Sequence, residues 1–191
     1  MIIGYGTGRC GTKSLALFLN QQPGYEVTHE GIALPWYPAL SEIPASVYIM
    51  TENQGDVAYY WLQYVNRILS GRGDARAIHI WREEEQVVAS FWAYKQNQIL
   101  MSSWKAYPFD HYEQSKDAIV TTVRRYMTIA KELKKRYRQL IYTMHISELN
   151  QPEALLEWLG IEDGNPTPVH DYNRRDTAPM QNPRPQTGFI P

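Results

Sequence analysis

A chain of 191 residues, 43% hydrophobic and 20% charged with a formal net charge of -1, can bury a core of its own, which excludes intrinsic disorder and gives no electrostatic pull toward nucleic acid. One cysteine, Cys10, excludes a disulfide framework or a thiolate cluster and points to a reducing compartment, with the cytoplasm the expected one. No run of about 18 uncharged apolar residues occurs, so no membrane span is expected, and the opening MIIGYGTGRCG reads as the start of the fold rather than a leader.

In chain order, the apolar run 1–5 predicts a strand that meets glycines at once, and Leu15, Phe18 and Leu19 give residues 12–20 helical spacing. Gln22, Pro23 and Gly24 stop that helix, and 25–28 reads as a second strand. Residues 31–44, rich in proline and aromatics, predict an irregular loop, followed by a strand at 46–50 and a helix from 57 to 69. After the turn at 71–74 the run 76–81 predicts a strand, and 83–95, with Val87, Val88 and Phe91, a helix. A long helix at 113–136, a strand at 139–145 and a short helix at 152–159 ending on Gly160 complete the pattern.

Strands that alternate with helices predict an α/β fold: a single domain over 1–191 with a mainly parallel sheet flanked by helices in three layers, ligands sitting beyond the carboxyl ends of the strands. The proline-rich tail 165–191 is expected to wrap the surface or close a site.

The run Gly6, Thr7, Gly8, Arg9, Cys10, Gly11, Thr12, Lys13, Ser14 lies between the first strand and the first helix. Exposed backbone N–H groups and the helix dipole make such a place an anion site, and glycines let the backbone close on a phosphate. The pattern is not that of a nucleoside triphosphatase, whose lysine follows the last glycine directly; here Thr12 intervenes between Gly11 and Lys13. The apolar strand at 76–81 ends in Arg82 rather than in a magnesium-binding aspartate, which favours another anion. A tyrosine-phosphatase role for Cys10 would need an arginine where Ala16 stands.

GTGRCGTKSL resembles the 5'-phosphosulfate loop of sulfotransferases, and AIHIWREEEQVVASFW resembles their 3'-phosphate segment. YTMHISELNQPEALLEWLGI is similar to the family's late strand, turn and short helix, so the resemblance spans most of residues 1–162. It implies a P-loop-like fold and 3'-phosphoadenosine-5'-phosphosulfate as sulfuryl donor, leaving 3'-phosphoadenosine-5'-phosphate. Gly8, Arg9, Cys10, Gly11, Thr12, Lys13 and Ser14 would line the 5'-phosphosulfate, and Arg82 and Ser90 would hold the 3'-phosphate. Two departures stand out: Glu84 replaces a proline common in the family, and the late glycine-rich nucleotide segment is not recognisable, which leaves the adenine contacts unassigned.

Sulfuryl transfer resembles phosphoryl transfer, with in-line attack and charge growing on the bridging oxygen, where Arg9 is suited to act. The sulfuryl group carries less charge than a terminal phosphoryl, so no metal is expected. An acceptor hydroxyl needs a base, for which Glu30 and His29 are the candidates. Glu30 is preferred because its place 21 residues after Arg9 resembles that of the catalytic glutamate in two branches of the family. Trp36, Tyr37, Tyr59, Tyr60, Trp92 and Tyr94 are candidates for the acceptor site, and the acceptor could be a small molecule, glycan, lipid or peptide.

His79, His111, His145 and His170 lack paired metal-ligand spacing and read as structural or solvated. The cluster 131–138 reads as a solvated helix face, with a polyanion site the alternative. A small-molecule or nucleoside kinase and a catalytically lapsed nucleotide-binding protein are the competing functions. The sequence does not decide the acceptor or the oligomeric state.

Overall fold

A computed structural model describes residues 1–32, 43–96 and 115–167. Five strands, β1 (Ile2–Tyr5), β2 (Glu26–His29), β3 (Gln54–Val57), β4 (Arg76–Trp81) and β5 (Ile141–His145), form one sheet in the order β2-β3-β1-β4-β5. Every pairing is parallel. The helices are α1 (Thr12–Asn20), α2 (Ala45–Tyr48), α3 (Leu62–Gly71), α4 (Glu84–Gln96), α5 (Lys116–Arg136) and α6 (Glu153–Leu159). All carboxyl ends therefore lie along one edge, and the loops leaving them meet there.

β1 is buried along its whole length, as a central parallel strand covered on both faces must be. Its alternate residues serve two cores. Ile3 and Tyr5 pack with Trp61, Tyr64 and Ile68 on one face. Ile2 packs with Leu15, Phe18 and Ile78 on the other.

Two predicted elements are corrected. Residues 46–50 do not form a strand: Ala45–Tyr48 is a single helical turn with Val47 as its buried residue. The fifth strand is instead β3, QGDV, whose glycine and aspartate are poor strand formers. It forms because Gly55 is the residue that fits beside β1, where an added Cβ would lie 2.2 Å from the Ile2 carbonyl oxygen. The helix expected from residue 57 accordingly begins later: Val57 closes β3, a 3-10 turn covers Tyr59–Trp61, and α3 starts at Leu62.

α5 starts where Ser115 Oγ accepts the Ala118 N–H at 3.1 Å, an ordinary N-cap. At its other end the basic cluster braces the helix. Lys134 Nζ donates to the carbonyls of Arg138 and Ile141, and Arg136 donates to Asn66 Oδ1 at 2.8 Å. Cations suit a helix C-terminus. α4 and α5 are tied by Arg124 gripping Glu84, a solvent-exposed pair of the kind that adds little to stability. Among the described residues no helix is long and apolar enough to cross a membrane.

Candidate functional site

The loop between β1 and α1 is shaped by glycines that nothing else could replace. A Cβ on Gly6 would lie 2.2 Å from the Ile80 carbonyl oxygen, one on Gly8 2.6 Å from the Phe91 ring, and one on Gly11 2.5 Å from Ile146. Gly11 (φ 103) and Arg9 (φ 69) are left-handed, the backbone state that lets successive N–H groups turn toward a common centre. α1 begins at once with no side-chain cap and no acidic residue in its first turn, so its positive end faces the loop uncompensated.

Cys10 is wholly buried, and its Sγ donates to the Ile80 carbonyl oxygen at 3.3 Å. Burial pushes its thiol up to about 12. The side chain is a strut that locks the loop onto β4, and the Cys10 N–H donates to the Thr7 carbonyl oxygen at 3.2 Å. Thr12 and Ser14 are also buried, whereas Lys13 reaches solvent.

The two motifs meet on one face of α4. Arg9 Nε donates to Ser90 Oγ at 3.1 Å, and Arg82 Nε donates to Gln86 Oε1 at 2.6 Å. Gln86 and Ser90 are four residues apart, so they stack on the same helix face. Both guanidiniums thus hang from α4 beside the loop, and the charge of Arg82 is felt at Cys10, where it opposes the rise of the thiol. Gln86 escaped the sequence reading; its place midway between Arg82 and Ser90 was the available signal.

On the other side of β1, the end of β2 presents His29 and Glu30. His29 Nε2 lies 3.2 Å from Thr12 Oγ1, which joins this turn to the first residue of α1. Burial pushes His29 below its ordinary value, against the carboxylates of Glu30 and Asp56, with Lys13 adding to the fall; the ring is neutral at pH 7. Glu30 is exposed, left-handed at φ 53, and its N–H donates to the Val57 carbonyl at 3.2 Å.

Asp56, which sequence reasoning missed, is 1% exposed. Its Oδ1 accepts from Thr28 Oγ1 at 2.6 Å and from the Gly31 N–H at 2.9 Å. Its Oδ2 accepts from Trp61 Nε1 at 2.8 Å. The Tyr60 hydroxyl, 3.0 Å from Oδ2 and 2.5 Å from the Ile32 carbonyl oxygen, shares one proton between the two. A lone acidic residue in the run QGDVA was the only hint of it.

Tyr59 and Tyr60 pack against one core and Trp92 against the other, so the structure does not gather these three aromatics. Trp36, Tyr37 and the side chain of Tyr94 lie outside the described residues, as do His111 and His170. His79 is buried against Tyr5, ring centroids 5.1 Å apart. His145 caps the turn Ile146–Asn150 and places Nε2 3.0 Å from Glu83 Oε1. Among the described residues no group of three or more His, Cys, Asp or Glu side chains is placed to hold a metal ion.

No protein-family model matches the chain, and no curated protein matches it in sequence. Among solved structures, a crystal structure of a sulfotransferase from Alicyclobacillus acidocaldarius is similar in fold: TM-score 0.56 at 15% sequence identity, covering 84% of this chain and 80% of that one. The chain therefore has a sulfotransferase-like α/β fold.

Proposed function

We propose that this protein is a sulfotransferase that moves the sulfuryl group of 3'-phosphoadenosine-5'-phosphosulfate onto an acceptor hydroxyl or amine. The observation that carries the reading is the pair of guanidiniums on one face of α4, Arg9 through Ser90 and Arg82 through Gln86, beside a loop whose three glycines let it pack tightly against its neighbours and whose backbone turns left-handed at Arg9 and Gly11. Two guanidiniums brought from separate segments, the phosphate loop and the end of β4, offer two distinct cationic contacts of the kind a nucleotide phosphorylated at two positions uses.

In this reading the amides of Gly8 to Thr12 and Arg9 hold the 5'-phosphosulfate, and Arg82 and Ser90 hold the 3'-phosphate. Glu30 takes the proton of the acceptor as its oxygen forms a bond to sulfur. The bond from sulfur to the bridging oxygen breaks, and Arg9 offsets the charge left on that oxygen, an effect typically worth about 3 kcal/mol of barrier. His29, neutral and engaged with Thr12, holds the loop rather than serving as the base. The guanidiniums supply the positive charge, so no step is assigned to a metal.

Calorimetric titration with 3'-phosphoadenosine-5'-phosphate and, separately, with ATP and magnesium tests the reading. The first should bind more tightly, and Arg82→Ala should weaken it by about 1.5–3 kcal/mol, the worth of a charged hydrogen bond. Equal or tighter ATP binding would transfer the case to a kinase.

A further inference from the structure

A carboxylate with 1% exposure is costly to keep in a core. Asp56 forms no ion pair among the described residues; it is held by donors from two segments. Its Oδ1 binds Thr28 and Gly31, the residues that bracket His29 and Glu30. Its Oδ2 binds Trp61 and shares the Tyr60 proton in the turn that follows β3.

The bracketed turn is tight. A Cβ on Gly31 would lie 2.5 Å from Thr28 Oγ1, and Glu30 sits at φ 53, a left-handed state that a non-glycine residue holds only when its surroundings impose it. With the Glu30 N–H bonded to Val57, three links fasten Thr28, Glu30 and Gly31 to β3.

We propose that Asp56 is a positioning residue: by pinning Thr28 and Gly31 it holds Glu30 left-handed and so fixes where the Glu30 carboxylate meets the acceptor's proton. The inference rests on the reading of Glu30 as the base. A buried apolar residue could fill the same space, but it could not accept the hydroxyl and amide that define the turn.

The test uses the full chain and four variants: Asp56→Asn, Thr28→Val, Glu30→Gln and Glu30→Gln combined with Thr28→Val. Turnover is read with water as the acceptor, as sulfate released from 3'-phosphoadenosine-5'-phosphosulfate, and binding with 3'-phosphoadenosine-5'-phosphate. Asp56→Asn and Thr28→Val should each slow release about 10- to 100-fold, the usual effect of misplacing a reacting group by about an ångström, while affinity stays within about twofold. On the Glu30→Gln background Thr28→Val should cost almost nothing further, because residues acting through one another are not additive. An undiminished loss on that background overturns the proposal and leaves Glu30 as the base; a normal rate for Glu30→Gln alone overturns the base assignment itself. Thr28→Val keeps the side-chain volume and stands in if Asp56→Asn fails to fold. Amide exchange reads the device without turnover: Thr28→Val should shift the backbone resonances of Glu30 and speed Gly31 exchange about tenfold, as loosening a charged hydrogen bond would. Unchanged Glu30 and Gly31 resonances also overturn it.

Discussion

Replacing His79 by phenylalanine should flatten the acid limb of the stability curve. His79 is 2% exposed, its Nε2 has no hydrogen-bond partner, and burial pushes it from 6.5 down to about 4. Because the folded value lies below the unfolded one, the unfolded chain takes up the proton first as pH falls. Stability is then unaffected by this group above about pH 6.5 and is lost progressively as pH falls toward 4. A gap of some two and a half units at about 1.4 kcal/mol each makes the loss roughly 3 kcal/mol by pH 4. Urea unfolding of the wild type and of His79→Phe at pH 7.5, 5.5 and 4 measures it. The variant should be of similar stability at pH 7.5, since it also removes an unpartnered buried nitrogen, and should lose about 3 kcal/mol less on acidification. Differencing the two proteins cancels His29, whose value is also lowered. Parallel losses in the two proteins, or a ring titration centred near 6.5, would refute the argument.

Gly11→Ala forces an L side chain to φ 103 and against Ile146, so it should cost about 1–3 kcal/mol in denaturant unfolding and weaken 3'-phosphoadenosine-5'-phosphate binding; wild-type values for both would show that the loop does not need this conformation. Cys10, raised from 9.0 to about 12 and wholly buried, should react with iodoacetamide about a thousandfold more slowly in the native protein than in urea, from its lost thiolate fraction alone. Equal rates would place the thiol at the surface.

Much of the fold was readable where a segment's own chemistry sets its structure. β1, α1, β4, α4 and β5 are apolar runs with clean spacing, and Gly160 ends α6 at φ 75 as a C-cap glycine should. β3 was not readable, because its glycine is chosen by the neighbouring backbone and its aspartate by donors 25 to 28 residues away in sequence. Within QGDV the lone acidic residue hints at the second, and nothing announces the first. The reverse error at Ala45–Tyr48 has the same origin: valine, tyrosine and isoleucine favour strands, yet no sheet edge is offered to them. The candidate site divides likewise. Arg9, Arg82 and Ser90 stand in motifs with fixed spacing, whereas Gln86 and Asp56 acquire meaning only when the chain brings their partners to them.

The loop's two polar reaches have a thermodynamic consequence. Arg9 reaches Ser90 through Nε on one flank of β1, and Thr12 reaches His29 on the other, so each side chain already holds a protein partner. In the proposed reading an arriving anion competes with Ser90 and His29 for these groups while also meeting the N–H donors at the uncapped start of α1. What selects the ligand is its charge, since guanidinium bonded to an anion outranks guanidinium bonded to a hydroxyl. Affinity at this cradle should accordingly weaken as ionic strength rises.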